Sequence, residues 1–190
     1  MDRRQRIANA GITLIARGGT HRLTHRAVDA AAGLPNGSTS YYARSRRDLI
    51  RLVMEQLSAE SQADLTDIEV PGKLTIRQAT DLVGRLAELL ILNGDAQAAR
   101  FALMFEVRDD DELRRELTVD APVRRSFDEK AVELLRALGV ADPEEKAPEF
   151  VALVDAVLMY RAVDAAPIDP AGVVGKYLTG LVRRKPTAAR

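Results

Sequence analysis

The chain of 190 residues has no cysteine, no tryptophan and only two histidines. Without thiols there is no disulfide, no thiolate nucleophile and no cysteine-ligated zinc. Two imidazoles leave little for catalysis, because a serine–histidine hydrolase needs one seated in a pocket. His21 and His25 both fall in a short polar stretch near the N-terminus. Their H-x-x-x-H spacing suits metal ligands on a helix, but His21 precedes a helix-capping Thr24 and no third ligand is evident. No metal, no cofactor and no catalytic residue is therefore expected. Aromatic residues make up 4%, and strand-like alternation is hard to find. Gly172, Gly175 and Gly180 follow a helix start rather than a strand, so they do not form a phosphate-cradling loop. The longest apolar runs, such as Leu89 to Leu92, are far too short to span a membrane. The N-terminal M-D-R-R-Q-R-I lacks the apolar core of a signal peptide. The expectation is a cytoplasmic protein with no membrane partner.

What is abundant is helix-forming residues. Ala, Leu, Arg and Glu dominate, and an all-α fold follows. Hydrophobic content of 46% is enough for a sizeable core in a chain of this length. Formal net charge is zero, but it is unevenly spread. Residues 1–50 hold nine arginines against three aspartates, a net of +6, so the remaining residues carry −6. A basic head on an acidic body is the footprint of a nucleic-acid binder whose body stays off the phosphates.

The stretch from Thr24 to Asp48 reads as two short helices joined by a tight turn, then the start of a longer one. Thr24 is a good N-cap. Ala27, Val28, Ala31 and Ala32 give a small apolar face, and Gly33 stops the helix by entering the left-handed region cheaply. Pro35 suits the first turn of a second helix over about Pro35 to Tyr42. That helix holds Asn36, Gly37, Ser38, Thr39 and Ser40 with no large apolar residue, and ends in Tyr41 and Tyr42. Such a surface is built to touch something outside the domain. With Arg44, Arg46 and Arg47 directly after it, DNA is the partner it suits.

Arg6 to Arg51, roughly a quarter of the chain, resembles the DNA-binding head of the tetracycline-repressor (TetR) family. The resemblance rests on the capping Thr24, the Ala32-Gly33 turn, Gly37-Ser38, and Arg46 opening the fourth helix before Asp48-Leu49-Ile50. Ser40 and Ala43 depart from it, standing where aromatic residues are usual. Carried over by position, Thr24, Tyr41, Tyr42 and Arg46 match places that grip the DNA backbone. His25, Arg26, Asn36, Gly37 and Ser38 match places near base edges, where Arg26 suits guanine and Asn36 adenine.

Elsewhere, Arg3 to Arg17 reads as the first helix, with Ile7, Gly11, Leu14 and Ile15 at helical spacing. The fourth runs from near Arg46 to about Leu65 through Leu49, Ile50, Val53, Met54 and Leu57. Further helices are expected over Thr75 to Asn93, Asp95 to Arg108, Val123 to Leu138, from Glu149 to about Asp164, and onward from Pro170. Asp109 to Arg115 reads as a charged connecting segment. Leu89 to Leu92 and Phe101 to Phe105 are apolar on most sides and belong in an interior. Asp142-Pro143-Glu144-Glu145 has the form of a capping box, Pro148 argues for a break, and residues 183–190 form a basic tail.

About nine helices result, divided into a helix-turn-helix domain over 1–47 and a ligand-binding and dimerisation domain over 48–190. The resemblance implies a homodimer built on the last two helices, with Val154, Val157, Leu158, Val174, Tyr177, Leu178 and Leu181 as the candidate interface. It also implies a small-molecule effector site, for which Phe101, Met104, Phe105, Phe127, Met159 and Tyr160 are the candidate lining. The reading is a dimeric regulator, a repressor released from a palindromic operator by a largely apolar ligand. The alternatives are a helical ligand-binding or adaptor protein without DNA binding and, third, a small all-α enzyme.

Overall fold

The computed structural model describes residues 1–183; the remainder of the basic tail, 184–190, lies outside the described residues. The fold is all-α, as the composition implies. Ten helices and one 3-10 turn (Thr20–Arg22) occur among the described residues. In order they are α1 (Arg3–Gly18), α2 (His25–Ala31), α3 (Ser38–Tyr42), α4 (Arg46–Thr66), α5 (Ile76–Leu92), α6 (Gly94–Glu106), α7 (Asp111–Leu117), α8 (Pro122–Ala137), α9 (Pro143–Ala162) and α10 (Pro170–Arg183). The described residues form two compact units, one of residues 1–62 and 93–123, the other of 63–92 and 124–183.

The first unit starts with a reciprocal cap. The Asp2 carboxylate accepts from the Gln5 N–H at 2.8 Å, and the Gln5 side chain accepts from the Asp2 N–H at 3.1 Å. Behind that cap Ile7, Ile12 and Ile15 of α1 face Leu23, Val28, Leu49 and Val53 in one core. Leu103 and Val107 at the end of α6 and Leu113 of α7 belong to the same core, all 2% exposed or less. The segment read as a charged connector is thus a helix. Asp110 caps it by accepting from the Leu113 N–H at 3.1 Å, and Leu113 anchors it. One buried leucine in seven residues is too little periodicity to reveal it beforehand.

The second unit packs α5, α8, α9 and α10 around Ala79, Val83, Leu134, Leu135, Phe150, Val174 and Leu178. On α10, a Cβ at Gly175 would lie 3.2 Å from Thr80 Oγ1 of α5. This close approach of α10 to α5 is made within the chain. Two expectations about α9 are corrected. Asp142 precedes it in a left-handed conformation (φ 53°) with no side-chain cap; its carbonyl, not its carboxylate, accepts from Glu145 and Lys146. Pro148 does not interrupt the helix. Its ring forfeits one early backbone bond, while Ala147, Phe150 and Val151 on either side are buried and hold the turn in place.

The apolar runs are less enclosed than their composition suggests. Leu90 is 1% exposed, but Leu89 is 39% and Leu92 83%. On α6, Phe101 and Leu103 are buried whereas Met104 is 37% and Phe105 67% exposed. Each helix turns one face to its core, and the extra apolar residues stand on the other. No helix among the described residues is long and apolar enough to cross a membrane.

Candidate functional site

Thr24 caps α2 as expected, its hydroxyl accepting from the Ala27 N–H at 3.2 Å. The turn after α2 is tied down by Arg6, which donates to the Ala32 carbonyl at 2.6 Å. Gly33 takes φ 63° there. The second helix starts later than Pro35. Pro35 and Asn36 lie in the turn, Gly37 is left-handed at φ 92°, and α3 begins at Ser38. No atom would lie within 4 Å of a Cβ at Gly37, so only its backbone conformation demands glycine. Gly37→Ala should cost about 1–2 kcal/mol of head stability and Gly37→Asn less, measured as thermal midpoints, because asparagine tolerates this region better.

What holds α3 is a residue that sequence reasoning passed over. Asp29, on α2, is 1% exposed. Its Oδ2 accepts from the Gly37 N–H at 2.7 Å, and its Oδ1 from the Thr39 N–H at 2.7 Å and the Thr39 hydroxyl at 2.6 Å. Burial pushes the Asp29 carboxyl pKa up; the hydrogen bonds from Thr39 and Gly37, with the nearby His25, outweigh this and leave it below the usual carboxylate value. Thr39 is fully buried and Ala43 1% exposed, so neither Tyr41 nor Tyr42 fills the core beneath the helix. Tyr41 is 83% exposed, with its ring edge-on to Tyr42 at 5.2 Å.

The remaining predicted contact residues divide. Arg26, Asn36 and Gly37 are exposed, as is Arg44. His25 is half-buried and donates from Nε2 to the Ala43 carbonyl at 2.8 Å. The Ser38 hydroxyl donates to the Pro35 carbonyl at 2.6 Å. Arg46 donates to the Thr20 carbonyl at 2.9 Å and pairs with Glu106 at 2.9 Å. Arg47 places two nitrogens on Asp110, at 2.8 and 3.0 Å, and holds the Asp110 carboxyl down to about 2. Arg51 pairs with Glu112 and Glu116. A count of arginines therefore overstates the free positive charge: Arg46 and Arg47 are partly neutralised, while Arg26 and Arg44 stand open to solvent.

The second unit contains an apolar cavity of about 60 Å³. Leu82, Leu86, Phe127, Phe150, Val151 and Val154 supply much of its wall, with Lys130 and Asp155 as its charged members. Of the six residues named for such a lining, Phe127 is in it. Phe101, Met104 and Phe105 lie on α6 in the other unit, Phe101 beneath the Arg100 guanidinium at 4.3 Å. Met159 and Tyr160 follow the lining residue Leu158 on α9, but Tyr160 is 45% exposed. Most of this wall is aliphatic rather than aromatic or methionine.

Of the seven residues named for a dimer face, Val157, Leu158, Val174 and Leu178 are buried within the chain itself. Val154, Tyr177 and Leu181 are half-buried. Tyr177 stacks on Phe150 at 6.0 Å and donates to Glu149 at 3.4 Å. Periodicity finds an apolar stripe but does not say which neighbour covers it.

Several solved structures share this architecture. A transcriptional regulator from Rhodococcus sp. Rha1 aligns with a TM-score of 0.78 at 15% identity, covering 96% of this chain and 97% of its own. A member of the TetR family from Streptomyces coelicolor A3 aligns at 0.69 and 24% identity, covering 97% and 100%. The multidrug binding protein EbrR, solved with imidazole, aligns at 0.63 and 24% identity, covering 100% and 99%. No curated protein matches the chain. Residues 74–184, more than half the sequence, match the family model of the tetracycline repressor-like C-terminal domain. Together with the all-helical fold, that match makes the chain a member of the tetracycline-repressor family of transcriptional regulators.

Proposed function

We propose that the chain is a homodimeric repressor that reads a palindromic operator and is released by a small, largely apolar effector in the cytoplasm. The observation that carries the reading is the exposure of the short helix-turn-helix stretch, where Tyr41 on α3 is 83% exposed and Arg26 on α2 and Arg44 just after α3 are open to solvent. In this proposal residues 1–47 supply the DNA contacts and residues 48–190 the effector site and dimer face. EbrR, a relative in fold, was solved with a bound small molecule, which supports an effector for this chain. The cavity of about 60 Å³ is smaller than a drug-sized ligand needs, so an effector would have to widen it. A second protomer would meet the outer sides of α9 and α10, where Tyr160 and Val182 are exposed.

Selecting bound duplexes from a random pool, then testing which metabolites release them, examines the whole reading. Recovery of no preferred sequence would favour a ligand-binding or adaptor protein without DNA binding. On a selected operator, Arg26→Ala should cost about 1–3 kcal/mol and relax base preference. Arg46→Ala should weaken operator and random duplex alike, by less than a free arginine would, because Glu106 already holds part of its charge. Equal losses on both duplexes for both variants would undo that division of roles.

A further inference from the structure

We propose that Asp29 is a positioning residue for DNA reading: its buried carboxylate, carried on α2, sets the orientation in which α3 and the turn before it meet the bases. The inference rests on the DNA-binding reading above and assigns a role to a side chain that itself faces the interior.

Five residues are too few for a helix to hold itself, since the first turn fixes several dihedrals for a single hydrogen bond. Large apolar side chains do not supply what is missing, because the buried residues of α3 and its C-cap are only Thr39 and Ala43. Nor does α3 cap itself: Gly37 has no side chain, and the Ser38 hydroxyl is turned back to Pro35. Instead, three donors at the start of α3 converge on one carboxylate at 2.6 to 2.7 Å. Charge-assisted bonds of this kind are short, strong and directional. Asp29 is fixed in turn by its neighbour Val28, which is fully buried in the core. Water cannot replace the carboxylate at so enclosed a site, so its loss leaves the donors unsatisfied and α3 free to tilt. Asn36 and Ser38 flank Gly37, whose N–H is one of those donors, and base edges tolerate little misplacement of the groups that read them.

The test compares Asp29→Asn, Thr39→Val and Thr39→Ser with the unaltered protein. Two quantities are read at fixed salt: the ratio of affinities for the selected operator and a random duplex, and hydrogen exchange at the Gly37 and Thr39 amides of the free protein. Asp29→Asn puts an amide donor where only acceptors fit. It should lower the ratio by about tenfold or more while random-duplex affinity changes by less than about twofold. Thr39→Val should lower the ratio partway, and Thr39→Ser, which keeps the hydroxyl, should behave as the parent. Amide protection should fall in step. An unchanged ratio in both Asp29→Asn and Thr39→Val, with stability alone reduced, would show a purely structural aspartate and overturn the proposal. If Asp29→Asn does not fold, Thr39→Val against Thr39→Ser decides. If the parent prefers no sequence, the DNA reading fails separately, and retained amide protection in the variants would still refute the positioning role.

Discussion

Leu178→Ala is expected to lower the stability of the C-terminal unit by about 2–5 kcal/mol. Leu178 is fully buried on α10, in one core with Val83, Leu134, Leu135 and Phe150. The close approach at Gly175 and Thr80 pins α10 to α5, so the helices have little freedom to collapse into the space left behind. Removing three carbons therefore forfeits both the transfer free energy and the dispersion contacts of the cavity wall. Leu92→Ala, at a site 83% exposed at the end of α5 in the same unit, should stay within about 0.5 kcal/mol and serves as the control. Denaturant unfolding measures both. A loss below about 1 kcal/mol at Leu178 would mean that the surrounding helices do collapse into the space it leaves.

The second large effect is an addition. A Cβ at Gly11 would sit 2.5 Å from Val53 Cγ2 and 3.2 Å from Leu23 Cδ1, and both neighbours are fully buried. Alanine favours a helix over glycine by about 1 kcal/mol, so propensity alone would make Gly11→Ala stabilising. The contact reverses the sign. Overpacking of this kind costs about 1–3 kcal/mol, and Gly11→Val should exceed that range. The diagnosis can be checked with a double-mutant cycle, because Val53→Ala removes the clashing methyl group. Gly11→Ala combined with Val53→Ala should be less destabilised than the sum of the singles by at least about 0.5 kcal/mol. Strict additivity would mean that α1 and α4 already have room to spare.

Both sites show how far the sequence can be read. Gly11 and Leu178 each lie on a clear helical stripe, and the helices carrying such stripes were legible to within two residues, except α9, which starts at Pro143 rather than Glu149. Long amphipathic periodicity reports burial against something, which is all that the existence of a helix requires. It does not name the neighbour, so the stripe that holds Leu178 reads as a dimer face while Leu178 itself is buried within the chain. Local signals failed wherever a distant partner overrode them. Pro148 is carried through its helix by Ala147 and Phe150. Leu113 makes a helix of a charged segment by reaching a core built mostly from residues before 58. The head motif was legible because capping and turn chemistry are local, but Asp29 was not, since a buried aspartate looks like any polar residue until its donors are seen. The cavity wall stayed hidden for the same reason: aliphatic side chains that border a void and those that fill one have the same spacing.

The N-terminal unit is assembled from two separated stretches of chain, and this gives its birth a timetable. A ribosome delivers residues in order, so Ile7, Leu49 and Val53 emerge long before Leu103, Val107 and Leu113 can join them. In between comes a stretch, 63–92, that belongs to the other unit. At elongation rates of about 5–20 residues per second, the half-made core waits for several seconds before its later residues arrive. A nascent chain thus has an interval in which chaperones can hold it and in which its N-terminal unit is not yet finished.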